Sequence, residues 1–309
     1  MVCASAPSRE DITMHALVSR TGQPSPTTAD VGVPVPGPGE VLVEVVAAAV
    51  NPVDAFVASG SGHEVFGLPE EVGLGWDVAG RVAALGPGVD GFEVGEAVAG
   101  LHDDLASPVR AHAAFTVLPA AALARVPDGL DLTEAASIPL NALTAAQALD
   151  LLGPAGGRSL LVTGAAGAVG GHAVALAAAS GWRVAGLARP ADAVFVRRAG
   201  GEVVNEPEPA SYDAVLDTAV LDAVAMAAVR DGGEHVSVLP PAPPASERGI
   251  RVQAVQVQAD GQRLGELLAR SAAGELEVRV AGTAPLAEAS AVYEKVAGGG
   301  QRGRWLLLP

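Results

Sequence analysis

The segment Leu160-Leu-Val-Thr-Gly-Ala-Ala-Gly-Ala-Val-Gly-Gly-His172, continued by an alanine-rich run to Ser180, limits the possible folds more than any other stretch. Its short Leu/Val run reads as a buried strand that breaks at Gly164; Gly167 and Gly170 then lead into a helical segment ending at Ser180-Gly181. Strand, glycine turn and helix in that order form a dinucleotide-binding βαβ unit. Gly164 permits the tight turn, Gly167 lets the backbone approach a pyrophosphate, and Gly170 lets the helix pack closely on the strand. Ala165, Ala168 and Val169 fill out the turn, whose N–H groups and positive helix terminus suit phosphate. In a chain with 38 glycines the spacing alone is a weak signal. The flanking strand and helix are what separate it from an ordinary αβ turn.

Alternation continues after the turn: strand 159–163, helix 168–180, strand 182–187, helix 191–199, strand 213–216, helix 219–230 and strand 234–239. That order predicts a parallel sheet covered by helices. Upstream the pattern differs. Met14–Val18 reads as the first strand, with 1–13 a disordered extension, and the Pro/Thr/Gly-rich stretch 21–38 reads as a loop. Short apolar runs at 41–46, 78–85, 97–101 and 114–118, punctuated by Gly86-Pro-Gly88 and Asp90-Gly91, predict a small β-rich domain. Leu132–Leu152 is helical in pattern and broken at Pro139. After the Pro-rich 240–245 come a strand at 250–257, helices at 262–273 and 285–297, and a last strand at 305–308.

With 50% hydrophobic but only 3% aromatic residues, the core must be built from Ala, Val and Leu. The formal net charge of −16 disfavours nucleic acid and anionic membrane as partners, because phosphate would be repelled. Cys3 is the only cysteine, so an internal disulfide and a cysteine-based zinc site are both excluded. No run of strongly apolar residues is long enough to span a bilayer, and the charged start of the chain is unlike a signal peptide. A cytoplasmic protein is expected.

The cofactor can be read further at the end of the second strand of the α/β part. An acidic residue about 20 positions after the first glycine would mark an NAD site. Here Val184-Ala-Gly-Leu-Ala-Arg189 has no acid and ends in an arginine, whose guanidinium suits a 2′-phosphate. NADPH is therefore the expected cofactor, with Asp192 close by as a counter-signal and a solvated surface arginine as the other reading of Arg189.

The β-rich part carries Ala49-Val-Asn-Pro-Val-Asp54, Gly73-Leu-Gly-Trp-Asp-Val-Ala-Gly-Arg-Val82 and Gly86-Pro-Gly-Val-Asp-Gly-Phe-Glu-Val-Gly-Glu-Ala-Val98. With Ala135-Ala-Ser-Ile-Pro-Leu-Asn-Ala-Leu-Thr-Ala145, the glycine turn and the closing Gly303–Leu308, the chain resembles a zinc-free medium-chain dehydrogenase/reductase of the quinone oxidoreductase, zeta-crystallin-like group from about Met14 to Pro309. The resemblance implies an α/β protein with a GroES-like barrel from both chain ends (14–122 and 258–309) and an inserted Rossmann domain (123–257). It implies a homodimer joined through the 250–257 edge strand, and reduction of quinones or activated C=C bonds (enones, enoyl compounds) by NADPH.

Residue by residue, Asn51 matches the family asparagine that faces nicotinamide and substrate, although Asn-Pro also favours a plain turn. Thr144 matches a threonine beside the nicotinamide, or is an ordinary helix threonine. Arg302 and Arg304 match a basic C-terminal pattern that either reaches the adenosine phosphate or is simply exposed. Where zinc alcohol dehydrogenases carry His-Glu, this chain has Trp76-Asp77, so no metal is expected.

There are departures. No aromatic follows Ala58-Ser-Gly-Ser-Gly-His63, and Glu206 stands where a tyrosine sometimes holds the 2′-phosphate. Tyr212 and Tyr293 fall outside the expected active site, which leaves His63 as the titratable candidate for a proton donor and solvent as the favoured source. A short-chain dehydrogenase is rejected, because neither tyrosine has a lysine four residues on and the turn begins only at residue 164. The competing function is a cofactor-binding protein without turnover, and a specialised tailoring substrate is the narrower expectation.

Overall fold

The computed structural model describes residues 13–239 and 242–309, so the extension expected before Thr13 and part of the Pro-rich loop lie outside the described residues. Two compact units form. One runs to Pro139 and takes in Ala259–Leu268 and Val280–Pro309; the other holds Leu140–Gln258 and Ala269–Arg279.

The first unit is the β-rich one. Its larger sheet orders the strands Val280–Pro285, Arg304–Leu308, Glu40–Val50, Asp77–Leu85, Ala97–Leu101 and Leu123–Arg125, with Phe115–Pro119 also paired to Glu40–Val50. The C-terminal strand completes a sheet begun far earlier in the chain: Trp305 pairs opposite Val50 and Leu307 opposite Ala48. Leu123–Arg125 pairs with Ala97–Leu101, which moves the boundary between the units from 122–123 to Pro139. A smaller sheet sets Thr13–Arg20 between Thr27–Gly32 and Glu71–Gly73. Thr27–Gly32 lies inside the stretch expected to be a loop; it is an edge strand whose inner face offers only Thr27, Ala29 and Val31, so its period-2 signal is weak.

Two helices, Pro52–Ala58 and Ser61–Phe66, occupy the segment between Asn51 and the strand Glu71–Gly73. Their start was encoded. Pro52 fixes the first helical φ, and the Asp54 carboxylate at N3 accepts the Asn51 N–H at 2.8 Å. Gly60 and Gly67, both at positive φ, delimit the second helix and account for its loop-like composition.

The second unit is a six-stranded, wholly parallel sheet ordered Glu202–Val204, Arg183–Leu187, Ser159–Thr163, Tyr212–Asp217, Val229–Ser237 and Arg251–Ala254. This is the doubly wound order in which a nucleotide binds at the carboxyl ends of the strands. The helix expected at 219–230 is shorter, Ala223–Ala228, because Val229 already pairs with Tyr212 in the sheet. Expected strand 250–257 is realised as Arg251–Ala254 on the sheet edge.

Both cores are aliphatic, as composition requires. Val41, Val43, Val78, Val82, Val98 and Leu118 pack within the first unit; Leu161, Val215, Met226, Val229 and Ile250 pack within the second. Each fully buried Val or Leu contributes about 1.5–3 kcal/mol over its exposed state. Among the described residues no helix is long and apolar enough to cross a membrane.

Candidate functional site

In the first unit three strand ends place a polar cluster inside the fold. Asn51 follows Glu40–Val50, Asp77 opens Asp77–Leu85 and Arg304 opens Arg304–Leu308, three strands that are neighbours in the sheet. The Asn51 side chain is fully buried, its Nδ2 donating to Asp77 Oδ2 at 2.6 Å and its Oδ1 accepting from Arg304 Nε at 2.8 Å. Those two bonds fix which end of the amide is oxygen. Arg304, read beforehand as a phosphate contact or a surface residue, is thus engaged in this cluster; Arg302 is exposed. Burial pulls the Arg304 pKa down to about 10, opposed by the negative charges of Asp77 and Asp54.

Asp54 is equally buried and accepts from the N–H groups of Asn51 and Gly75, the latter at 3.1 Å. Arg110 is buried beside it, stacked 5.0 Å from the Trp76 ring and donating to the His102 carbonyl. Burial lowers the Arg110 pKa to about 10, with Asp54 the largest opposing charge. His112 bridges Ala49 O at 3.0 Å and the Tyr293 hydroxyl at 2.7 Å. A carbonyl can only accept, so Nε2 carries the proton and Nδ1 accepts from the phenol. The charge states agree: burial lowers the His112 pKa and raises that of Tyr293. Tyr293, Arg110 and His112 had no local sequence signal, and they meet only through the fold.

His63, the candidate proton donor, is a helix residue and only 4% exposed. Its Nδ1 donates to Pro69 O at 2.8 Å, and Nε2 lies 2.9 Å from Ser19 Oγ. Both ring nitrogens are occupied in tying two segments together.

In the second unit the glycine turn has the local geometry its sequence implies. Gly164 sits at φ +58°, where a Cβ would lie 3.0 Å from that of Ala219. A Cβ at Gly170 would fall 2.2 Å from the Gly164 carbonyl oxygen. Gly167 donates to Gly164 O at 2.8 Å and caps the helix Ala168–Ala179, whose first N–H groups have no acceptor within the helix. The Ala165 N–H bonds Leu187 O at 3.1 Å, which ties the turn to the end of the neighbouring strand, and Arg189 follows there. Among the described residues the Arg189 guanidinium has no hydrogen-bond or ion-pair partner; it is exposed, as is Glu206. Thr144 is buried on the helix Pro139–Leu152 of the same unit.

A second loop braces the turn. Thr163 Oγ1 donates to Asp217, whose other carboxylate oxygen accepts from Leu221 N and Asp222 N at 2.8 and 2.9 Å. Thr218 Oγ1 donates to Thr163 O at 2.6 Å. Between these ties Val220 and Asp222 take φ of +52° and +35°, strain that persists only because the loop is held at both ends.

Residues 37–128 match the family described as the alcohol dehydrogenase GroES-like domain, and residues 189–307 match zinc-binding dehydrogenase. Erythronolide synthase of Saccharopolyspora erythraea is 40% identical over 163 residues, covering 52% of this chain and 4% of that protein. A trans-enoyl reductase of Aspergillus japonicus is 34% identical over 209 residues, covering 64% of this chain and 57% of the other. The chain thus spans less than two thirds of the length of these relatives. The quinone oxidoreductase structure from Coxiella burnetii superposes with a TM-score of 0.83 over 96% of this chain and all of that one, at 24% identity, and so shares the fold.

Proposed function

We propose that the chain, whose two parts match the alcohol dehydrogenase GroES-like domain and zinc-binding dehydrogenase models, is a medium-chain dehydrogenase/reductase that uses NADPH to deliver hydride to a quinone or to an activated carbon–carbon double bond, working without zinc. The observation that carries the reading is the glycine turn at a helix N-terminus, with the Arg189 guanidinium, which has no partner among the described residues, at the end of the adjacent strand. The residues fit a phosphorylated dinucleotide: backbone donors for the pyrophosphate, and a cation where the adenosine ribose lies.

NADPH, when bound, supplies the hydride. The protein's part is to bind, orient and exclude water. Gly164, Ala165, Gly167, Ala168, Val169 and Gly170 form the phosphate cradle, and the Asp217 loop fixes its shape. Asn51, held at both ends of its amide, is a fixed polar group of the barrel unit, and Thr144 is buried on the helix Pro139–Leu152 of the α/β unit. His63 is committed to Pro69 and Ser19, so solvent is the proton source. The similarity to a trans-enoyl reductase supports the enoyl arm of the substrate class.

Zinc does not fit the residues present. Trp76 offers no ligand, and the Asp77 carboxylate is taken by Asn51. Among the described residues no group of three or more His, Cys, Asp or Glu is placed to hold a metal. A second copy of the chain is proposed to pair along Arg251–Ala254, whose one side is bonded to Val229–Ser237; light scattering of the intact protein reports the assembly. The deciding experiment for function is turnover across a panel of quinones, enones and enoyl thioesters with NADPH. Dialysis against a strong chelator should leave the rate unchanged. Tight NADPH binding with no turnover on any of the panel would replace the reductase with a cofactor-binding protein.

A further inference from the structure

We infer that Arg279 is a second guanidinium for the 2′-phosphate of the cofactor, a specificity-determining residue at the outer edge of the glycine turn; this rests on the NADPH reading above. Arg279 lies 113 residues beyond the turn, immediately before the strand Val280–Pro285, and its side chain is 19% exposed. Three contacts position it, all within the α/β unit. The guanidinium carbon stands 4.3 Å from the Phe195 ring centre, Nη1 donates to the Ala166 carbonyl at 2.7 Å, and Nη2 is 3.9 Å from Asp192 Oδ1.

The last distance is an ion pair but too long for a hydrogen bond. Stacked on one face and tied at one nitrogen, the group therefore keeps Nη2 and Nε without a hydrogen-bond acceptor among the described residues. A planar cation in that state offers the fork that binds phosphate through paired, charge-assisted bonds.

Its place in the fold matches that chemistry. The Ala165 N–H is bonded to Leu187 O, and the Asp192 N–H to Arg189 O at 2.9 Å. Ala166, Arg189, Asp192 and Arg279 are thus gathered at the carboxyl end of the second strand of the α/β unit, where a doubly wound sheet receives the adenosine ribose. Asp192 is nearly buried, and its carboxylate would repel a phosphate there; Arg279 is the cation beside it. The shelf under Arg279 depends on Gly171. A Cβ there would lie 2.7 Å from Phe195 Cζ, so the second glycine of Gly170-Gly171 makes room for the ring.

The test uses the intact protein and two pairs of probes: NADPH against NADH by fluorescence titration, and 2′,5′-ADP against 5′-AMP by calorimetry. Arg279→Gln should weaken NADPH and 2′,5′-ADP by about tenfold or more while NADH and 5′-AMP change by less than about threefold. Arg279→Lys, which keeps the charge without the fork, should fall between. If Arg279→Gln unfolds the chain, Phe195→Leu removes only the shelf and should shift the same ratio in the same direction. Equal weakening of both members of each pair, or no change in either, overturns the assignment. Equal NADPH and NADH affinity in the unsubstituted protein overturns the NADPH reading itself, and the 2′-phosphate role of Arg279 with it.

Discussion

At the scale of single residues, the proposed cofactor site sets one arginine, Arg189, beside glycines that sterics require. Arg189 is exposed and its guanidinium has no partner among the described residues, so its removal should cost the fold little and, on the proposed function, the cofactor much. Arg189→Ala should weaken NADPH by about 1.5–3 kcal/mol, the scale of a hydrogen bond to a charged group, and leave NADH nearly unchanged in fluorescence titration. Gly170 is the opposite case. With the Gly164 oxygen 2.2 Å from where a Cβ would sit, Gly170→Ala must push the helix off the turn. We expect a loss of about 1–3 kcal/mol in denaturant unfolding together with loss of cofactor binding. Unchanged NADPH affinity would show that the turn does not touch the cofactor. Both residues were legible beforehand, since a glycine turn and a basic strand end are local signals. Arg279 was not.

Among the elements, the helix Pro52–Ala58 joins the polar cluster to the backbone. Asp54 serves three ends: it caps its own helix through Asn51 N, it holds Gly75 N, and its charge opposes the burial of Arg110. Asp54→Ala strands two N–H groups and removes the largest of the charges that offset the burial of Arg110. Leaving buried donors such as these unsatisfied costs about 1–3 kcal/mol each, readable as a shifted urea midpoint. A midpoint unchanged would mean that water reaches Arg110. The Asn-Pro start of this helix also reads as a turn. The capping bond from Asn51 N to Asp54 and the Gly75 N–H bond to the same carboxylate show it as a helix start.

For the whole molecule, buried neutral histidines set the response to acid. His102 is held at a pKa of about 3 against an ordinary value of 6.5, chiefly by burial and then by the Arg110 charge; His112 and His235 are also lowered by burial. Their folded pKa values lie below the unfolded ones, so the unfolded chain takes up protons first. Stability is therefore full above the unfolded value and falls as pH drops from about 6.5 toward about 3, with each such group contributing up to about 1.4 kcal/mol per pH unit. Thermal melts between pH 7 and 4 should show the decline, and His102→Gln should flatten it. An identical slope in that variant would move the cause to the carboxylates.

The amino-acid sequence by itself determined what depends on neighbours along the chain. The glycine turn follows from local sterics, the parallel α/β unit from alternating apolar runs, and the poverty of aromatics from composition. The tertiary structure decided which distant groups meet. His112 and Tyr293 are 181 residues apart, Asn51 and Arg304 are 253, and Ala166 and Arg279 are 113. No periodicity or spacing rule extends over such separations, because the chain between the partners can take many paths. Pairing of Arg304–Leu308 with Glu40–Val50 is what brings Arg304 to Asn51, and the stacking of Arg279 on Phe195 is what turns a residue without a motif into a candidate ligand for phosphate.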